Sequence, residues 1–168
     1  ARTDPRAKYR IRYYDDDTSF IRLEKKIKRR GMTQKRSCPL TVEEADSLAK
    51  GEFPVISSDM PEEKRRLLLE LISHGMLPKV IVTYRRIPFI YNAGNVRITF
   101  DGDITSSDET SRLLTRDYRQ RPVLPPGKSI LEVKWDELLP LHIKSMMQLD
   151  TLQWSTFSKY YICRLIGF

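Results

Sequence analysis

The sequence predicts an α+β domain in which a largely antiparallel sheet closes toward a β-barrel and helices pack outside it. Three observations point there. Five segments alternate apolar and charged residues with period two, the signature of strands with two different faces. Two segments between them carry helical apolar periodicity bounded by start and stop residues. The 168 residues contain no internal repeat and no linker-like stretch, so 1–168 reads as a single domain.

The elements follow in order. Lys8–Asp15 reads KYRIRYYD, with Arg10 and Arg12 on one face and Tyr9, Ile11 and Tyr13 on the other. A second strand over Ser19–Arg30 places Arg22, Glu24, Lys26 and Lys28 opposite Ile21, Leu23 and Ile27, and Asp15-Asp16-Asp17 between the two suits a hairpin. Thr41 with Glu44 forms a capping box for a short helix closed by Gly51. Asp59 with Glu62 suggests the same device around Pro61, ahead of Leu67, Leu68, Leu71 and Ile72 and a stop at Gly75. Strands resume at Lys79–Tyr91 and Asn95–Asp101, joined by a tight turn at Asn92-Ala93-Gly94-Asn95. Asp103–Arg119 is polar and reads as a loop; Ser129–Trp135 is another strand, Pro140–Leu152 is helical, and the closing FSKYYICRLIGF suits either a helix turn or a strand.

Composition bounds the function. Forty per cent hydrophobic and 31% charged residues exclude a disordered chain, and no apolar run reaches the length of a spanning helix. The beginning is basic and polar, with no signal-peptide pattern. Cys38 and Cys163 have no metal-ligand spacing and read as reduced packing residues, which gives a cytoplasmic expectation, with any membrane association supplied by other segments or partners. His74 and His142 are far apart and read as structural or surface residues. The net charge of +8 calls for a polyanionic partner.

The placement of the charge narrows that class. Arg10 with Arg12, Glu24 with Lys26 and Lys28, Arg86 with Tyr84 and Val82, Arg97 with Thr99 and Asp101, and Glu132 with Lys134 each share a strand face. For one strand, a solvated outer face explains this; five strands biased toward Arg and Lys favour a cationic surface compensated by an anion. A barrel lined with such faces suits phosphate chains, since Arg offers a planar fork and Lys a point charge. Glu132 suits a divalent ion, Mg²⁺ or Mn²⁺, that takes a carboxylate together with phosphate oxygens.

The residues resemble a known family at this point. Arg10-Ile11-Arg12-Tyr13-Tyr14, Leu23-Glu24-Lys25-Lys26, Tyr84-Arg85-Arg86-Ile87-Pro88-Phe89, Val96-Arg97-Ile98-Thr99-Phe100-Asp101, Ile130-Leu131-Glu132-Val133-Lys134 and Phe157-Ser158-Lys159-Tyr160 occur in an order similar to the VTC-type polyphosphate polymerase domain, a branch of the triphosphate tunnel metalloenzymes. The resemblance implies a tunnel barrel for triphosphate or polyphosphate, with Arg10, Arg12, Lys26, Arg86, Arg97 and Lys159 holding phosphates and Glu132 holding the metal. It makes Lys134 a candidate phosphate contact and Ser158 a candidate for orienting the terminal phosphate; Lys28 extends the basic face beside Lys26. In that family, further strands precede the Arg-x-Arg strand, so this segment is expected to lack the tunnel's N-terminal strands.

The implied reaction transfers the γ-phosphoryl group of ATP to a growing polyphosphate chain, chemistry that rests on positioning and charge neutralisation. Lys26, Arg86, Arg97 and Glu132 are the candidate catalytic residues; Asp101 reads first as structural and otherwise as a carboxylate that supports the residues touching phosphate. Hydrolysis of tripolyphosphate or nucleoside triphosphates is the near alternative. A module that senses polyphosphate or inositol phosphates without turnover is the alternative from another class. RNA binding through Tyr9, Tyr13, Tyr14 and Tyr84 is disfavoured, because no RNP-like motif accompanies them.

Overall fold

The computed structural model describes residues 6–30, 32–136, 138–148 and 157–166. The chain divides into two compact units, Ala1–Lys79 with Glu109–Tyr118 and Val80–Asp108 with Arg119–Phe168. Each has its own sheet.

In the first unit, β1 (Arg6–Tyr14), β2 (Asp17–Arg29) and β3 (Met32–Leu40) form an antiparallel sheet with β2 in the centre. Asp15 and Asp16 both adopt positive φ, 48° and 63°, as a two-residue hairpin turn matched to strand twist requires. Helices α1 (Val42–Ala49) and α2 (Glu62–Ser73) cover one face. Ile21, Leu23, Cys38 and Leu40 pack there against Ala45, Leu48, Leu67, Leu68 and Leu71. Thr41 caps α1 as the sequence suggests: its side chain accepts from the Glu44 amide while the Glu44 carboxylate accepts from the Thr41 amide.

Strict alternation puts Lys25 on this covered face, between Leu23 and Ile27. Burial of an ammonium demands a partner, and Glu70 of α2 supplies one at 2.6 Å. Arg36, the cross-strand neighbour of Lys25, binds Glu63 at 2.8 Å and Glu70 at 2.9 Å. Tyr9 donates to the same Glu70 carboxylate. This network fixes how α2 lies on the sheet, and Lys64 ties α2 to Glu44 of α1 at 2.7 Å. The segment Glu109–Tyr118 joins this unit through Leu114, a hydrogen bond from the Tyr13 hydroxyl to the Leu113 carbonyl, and an Arg116–Asp16 ion pair.

In the second unit, β5 (Val96–Ser107) pairs with β4 (Ile81–Tyr91) on one side and with β6 (Arg121–Pro122) and β7 (Ile130–Lys134) on the other. Gly94 turns the β4–β5 connection at φ 77°, and a Cβ there would collide with the Leu138 carbonyl oxygen. A bulge between Thr83 and Arg85, with Asp103 at φ 52°, inserts one extra residue on β5. It keeps Val82, Tyr84 and Arg86 on the same face as Ile104 and Asp101. Helix α3 (Leu141–Met146) follows, and α4 (Lys159–Ile166) packs Ile162 and Cys163 onto Ile104, Val82 and Val123.

Among the described residues the structure is therefore α+β with antiparallel sheets and four α-helices, but the strands form two sheets and no closed barrel. Other expectations are corrected in detail. Strand β3 was not anticipated, and β5 runs on to Ser107 where a loop was expected. Helix α2 starts from Pro61 without a side-chain cap, and Asp59 instead takes a hydrogen bond from Ser57 that lowers its pKa. The closing segment is helical at Lys159–Ile166. Helix α3 ends at Met146 with Met147 as its C-cap and Gln148 outside the helix, short of the expected Leu152; residues 149–152 lie outside the described residues. No helix among the described residues is long and apolar enough to cross a membrane.

Candidate functional site

The face of the first sheet opposite the helices is cationic. Register aligns Lys8 with Lys26 and Lys26 with Lys35, so three lysines stand abreast across β1, β2 and β3. Neighbouring rows pair Arg10 with Glu24 and Arg12 with Arg22, and bring Lys28 beside Thr33. Directly opposed residues hold their Cβ atoms about 5 Å apart, and like charges at that distance destabilise the sheet. Glu24 is the one carboxylate in these rows. It takes Arg10 Nε at 2.6 Å and an Arg12 Nη at 3.0 Å, which fixes both guanidinium groups. Arg22 donates to the Ser37 hydroxyl at 2.7 Å.

The second sheet builds a tighter constellation on the face that α4 covers at one end. Arg86 grips Asp101 through two hydrogen bonds, Nε to Oδ1 at 2.6 Å and Nη2 to Oδ2 at 2.7 Å. Lys159, the first residue of α4, reaches the same Asp101 Oδ2 at 2.5 Å. The Tyr84 ring lies beneath both cations, 5.3 Å from Arg86 Cζ and 5.1 Å from Lys159 Nζ. One row away, Glu132 stands opposite Thr99, with Lys134 Nζ at 2.9 Å and Arg86 at 3.8 Å. Arg97 is the cross-strand partner of Lys134, and both are exposed.

Asp101 is fully buried. Burial acts to raise its pKa, but hydrogen bonds from Arg86 and Lys159 outweigh that and hold the carboxyl below its ordinary range. The hydrogen bonds to Asp101 in turn raise the pKa of Arg86. Burial pushes the Cys38 thiol up to about 11, so it stays protonated and packs as an apolar group.

The structure brings Arg86, Arg97, Glu132, Lys134 and Lys159 together on one sheet face, and Arg10, Arg12, Lys26 and Lys28 together on another. Ser158 precedes α4, where its hydroxyl lies 3.4 Å from the Tyr161 amide as a loose cap. Lys35 was missed because it sits on the unanticipated β3; only register reveals it as the third lysine of its row. Asp101 is open in sequence between a structural and a supporting carboxylate, and nothing in its neighbourhood signals that Arg86 and Lys159 converge on it. Tyr9 and Tyr13 pack against the helix-covered core of the first unit and donate their hydroxyls to Glu70 and to the Leu113 carbonyl.

A divalent metal fits this donor set in one way only. Among the described residues no three His, Cys, Asp or Glu side chains cluster as a metal cage, and both Asp101 oxygens are occupied. Glu132 is 38% exposed and can offer a carboxylate oxygen to an ion whose other ligands are water and phosphoryl oxygens.

A search among curated proteins finds no match. A family model described as the VTC domain matches residues 1–166, nearly the whole chain. By that match, the chain belongs to the VTC domain family.

Proposed function

We propose that this chain binds polyphosphate or triphosphate along its cationic sheet faces and transfers the γ-phosphoryl group of ATP to a phosphate chain. One observation carries the reading: each sheet has a face on which Lys and Arg stand opposite one another, as Lys8, Lys26 and Lys35 do and as Arg97 and Lys134 do. Such rows gather positive charge along a line, which suits a linear anion with a charge on every phosphoryl group. Membership of a family linked to polyphosphate agrees with it.

In this reading Arg10, Arg12, Lys26 and Lys28 hold chain phosphates, while Arg86, Arg97, Lys134 and Lys159 hold the reacting end and Ser158 orients the terminal group. Lys26, Arg86 and Arg97 neutralise the charge that develops during transfer. The bond from the γ-phosphorus to the bridging oxygen of ADP breaks as an oxygen of the acceptor phosphate bonds to that phosphorus. No protein nucleophile is required. Mn²⁺ or Mg²⁺, when bound beside Glu132, would neutralise phosphoryl charge further.

The test is a product assay on the full chain with labelled ATP, Mn²⁺ and tripolyphosphate. Longer phosphate oligomers support the polymerase, and orthophosphate alone replaces it with a hydrolase. A binding module for polyphosphate or inositol phosphates is the second reading. The hold of Lys134 on Glu132 favours it, and tight binding without turnover would establish it.

A further inference from the structure

Asp101 makes no contribution to phosphate binding by its own charge, yet it is the most enclosed ionised group near the candidate site. Its carboxylate is bound by Arg86 and Lys159, from a strand and from a helix, and Tyr84 lies under both cations. We infer that Asp101 is a positioning residue: with Tyr84 it holds Arg86 and Lys159 as one preset clamp for a phosphoryl group. The inference rests on the phosphate-binding reading above and names what gives that site its geometry.

The guanidinium geometry supports it. Arg86 commits the edge formed by Nε and Nη2 to Asp101, which leaves the Nη1 donors of the planar fork outside this bidentate pair. Lys159 directs one of its three N–H donors to Oδ2, and the other two lie outside that bond. Side-chain exposures of 32% and 20% leave both cations reachable. Without a carboxylate between them they would repel, and each long side chain would sample many rotamers before finding a ligand. Asp101 and Tyr84 remove that freedom before binding. They also bind α4 to β5 and β4, so the helix carrying Lys159 is held by the group that orders the clamp.

The inference and its bland alternative predict opposite signs. If Asp101 is only a counterion, Asp101→Asn adds a positive charge to the site, and phosphate affinity rises. If Asp101 positions the clamp, affinity falls despite the added charge.

The experiment is calorimetric titration of the full chain with inorganic tripolyphosphate, for the wild type, Asp101→Asn and Tyr84→Leu, with near-UV circular dichroism as the check on folding. The expected result is roughly tenfold weaker binding for Asp101→Asn. Tyr84→Leu, which leaves the charge unchanged, should weaken binding about three- to tenfold. Where Asp101→Asn does not fold, Tyr84→Leu carries the test alone. Binding by a folded Asp101→Asn that equals or exceeds wild type overturns the inference, and so does an unchanged affinity in Tyr84→Leu. Absence of binding by the wild type overturns both this inference and the phosphate-binding reading. Wild-type binding with unaffected variants sinks only the positioning role.

Discussion

Lys26 stands directly opposite Lys35 across the β2–β3 ladder, on the sheet face that the helices leave open. Lys8 extends the row on the other side. The row concentrates positive charge on one face, and an anion bound there stabilises the folded state, so stability and binding are linked. Lys35→Ala should raise the melting temperature without ligand by about 1–3 °C and weaken tripolyphosphate binding. In the wild type, tripolyphosphate at a hundred times its Kd should stabilise by about 2.7 kcal/mol. Added salt should shrink both effects, and thermal melts with and without ligand check this.

Glu132 is the one site carboxylate that remains exposed enough to offer an oxygen to an ion. Glu132→Gln should abolish any enhancement of tripolyphosphate binding by Mn²⁺. Metal-free binding should strengthen slightly, since a negative charge is lost and Lys134 is released from its 2.9 Å contact. Titrations with and without Mn²⁺ separate the two effects. A Mn²⁺ response that survives in Glu132→Gln would place the ion elsewhere.

Glu70 serves the fold and not the site. It holds Lys25 at 2.6 Å and Arg36 at 2.9 Å on the helix-covered face. Glu70→Gln strands two cations, one of them buried, and should cost roughly 2–4 kcal/mol, with tripolyphosphate affinity per folded molecule unchanged. Urea denaturation measures the first quantity and calorimetry the second.

Acid should unfold the protein through the same carboxylates. Burial acts to raise the pKa values of Glu70 and Asp101, but hydrogen bonds from Lys25 and Arg36, and from Arg86 and Lys159, hold both below their ordinary ranges. A depressed folded pKa gives stability that is present above the unfolded value and lost as pH falls through the folded one. Stability should therefore be level from neutral pH down to about 5 and decline below about 4, where free Asp and Glu titrate. Chemical denaturation across that range checks the sign.

The parts of this protein that were legible in its sequence share one property: strand alternation or helix capping was uninterrupted. Arg10 and Arg12, Lys26 and Lys28, and Glu132 and Lys134 fell on single faces because nothing breaks the period there. The Thr41 cap follows from local chemistry alone. Strand β3 was illegible because its covered face reads Gln34, Arg36, Cys38 and Leu40. Arg36 is tolerated there only through the distant partners Glu63 and Glu70. The end of β5 was hidden by the bulge at Asp103, which reverses parity, and by Ser106 and Ser107, which resemble loop residues yet are buried. Convergence of Arg86 and Lys159 on Asp101 depends on where α4 docks, which no local pattern encodes.

The proposed function requires the cationic faces to select phosphate chains. Calorimetric titration of the full chain with inorganic tripolyphosphate, with single-stranded RNA oligomer as competitor, tests that selectivity. Saturable binding that weakens with salt, and that RNA of equal charge displaces poorly, is expected. No heat of binding, or displacement by RNA at equal phosphate concentration, would overturn the phosphate-chain reading.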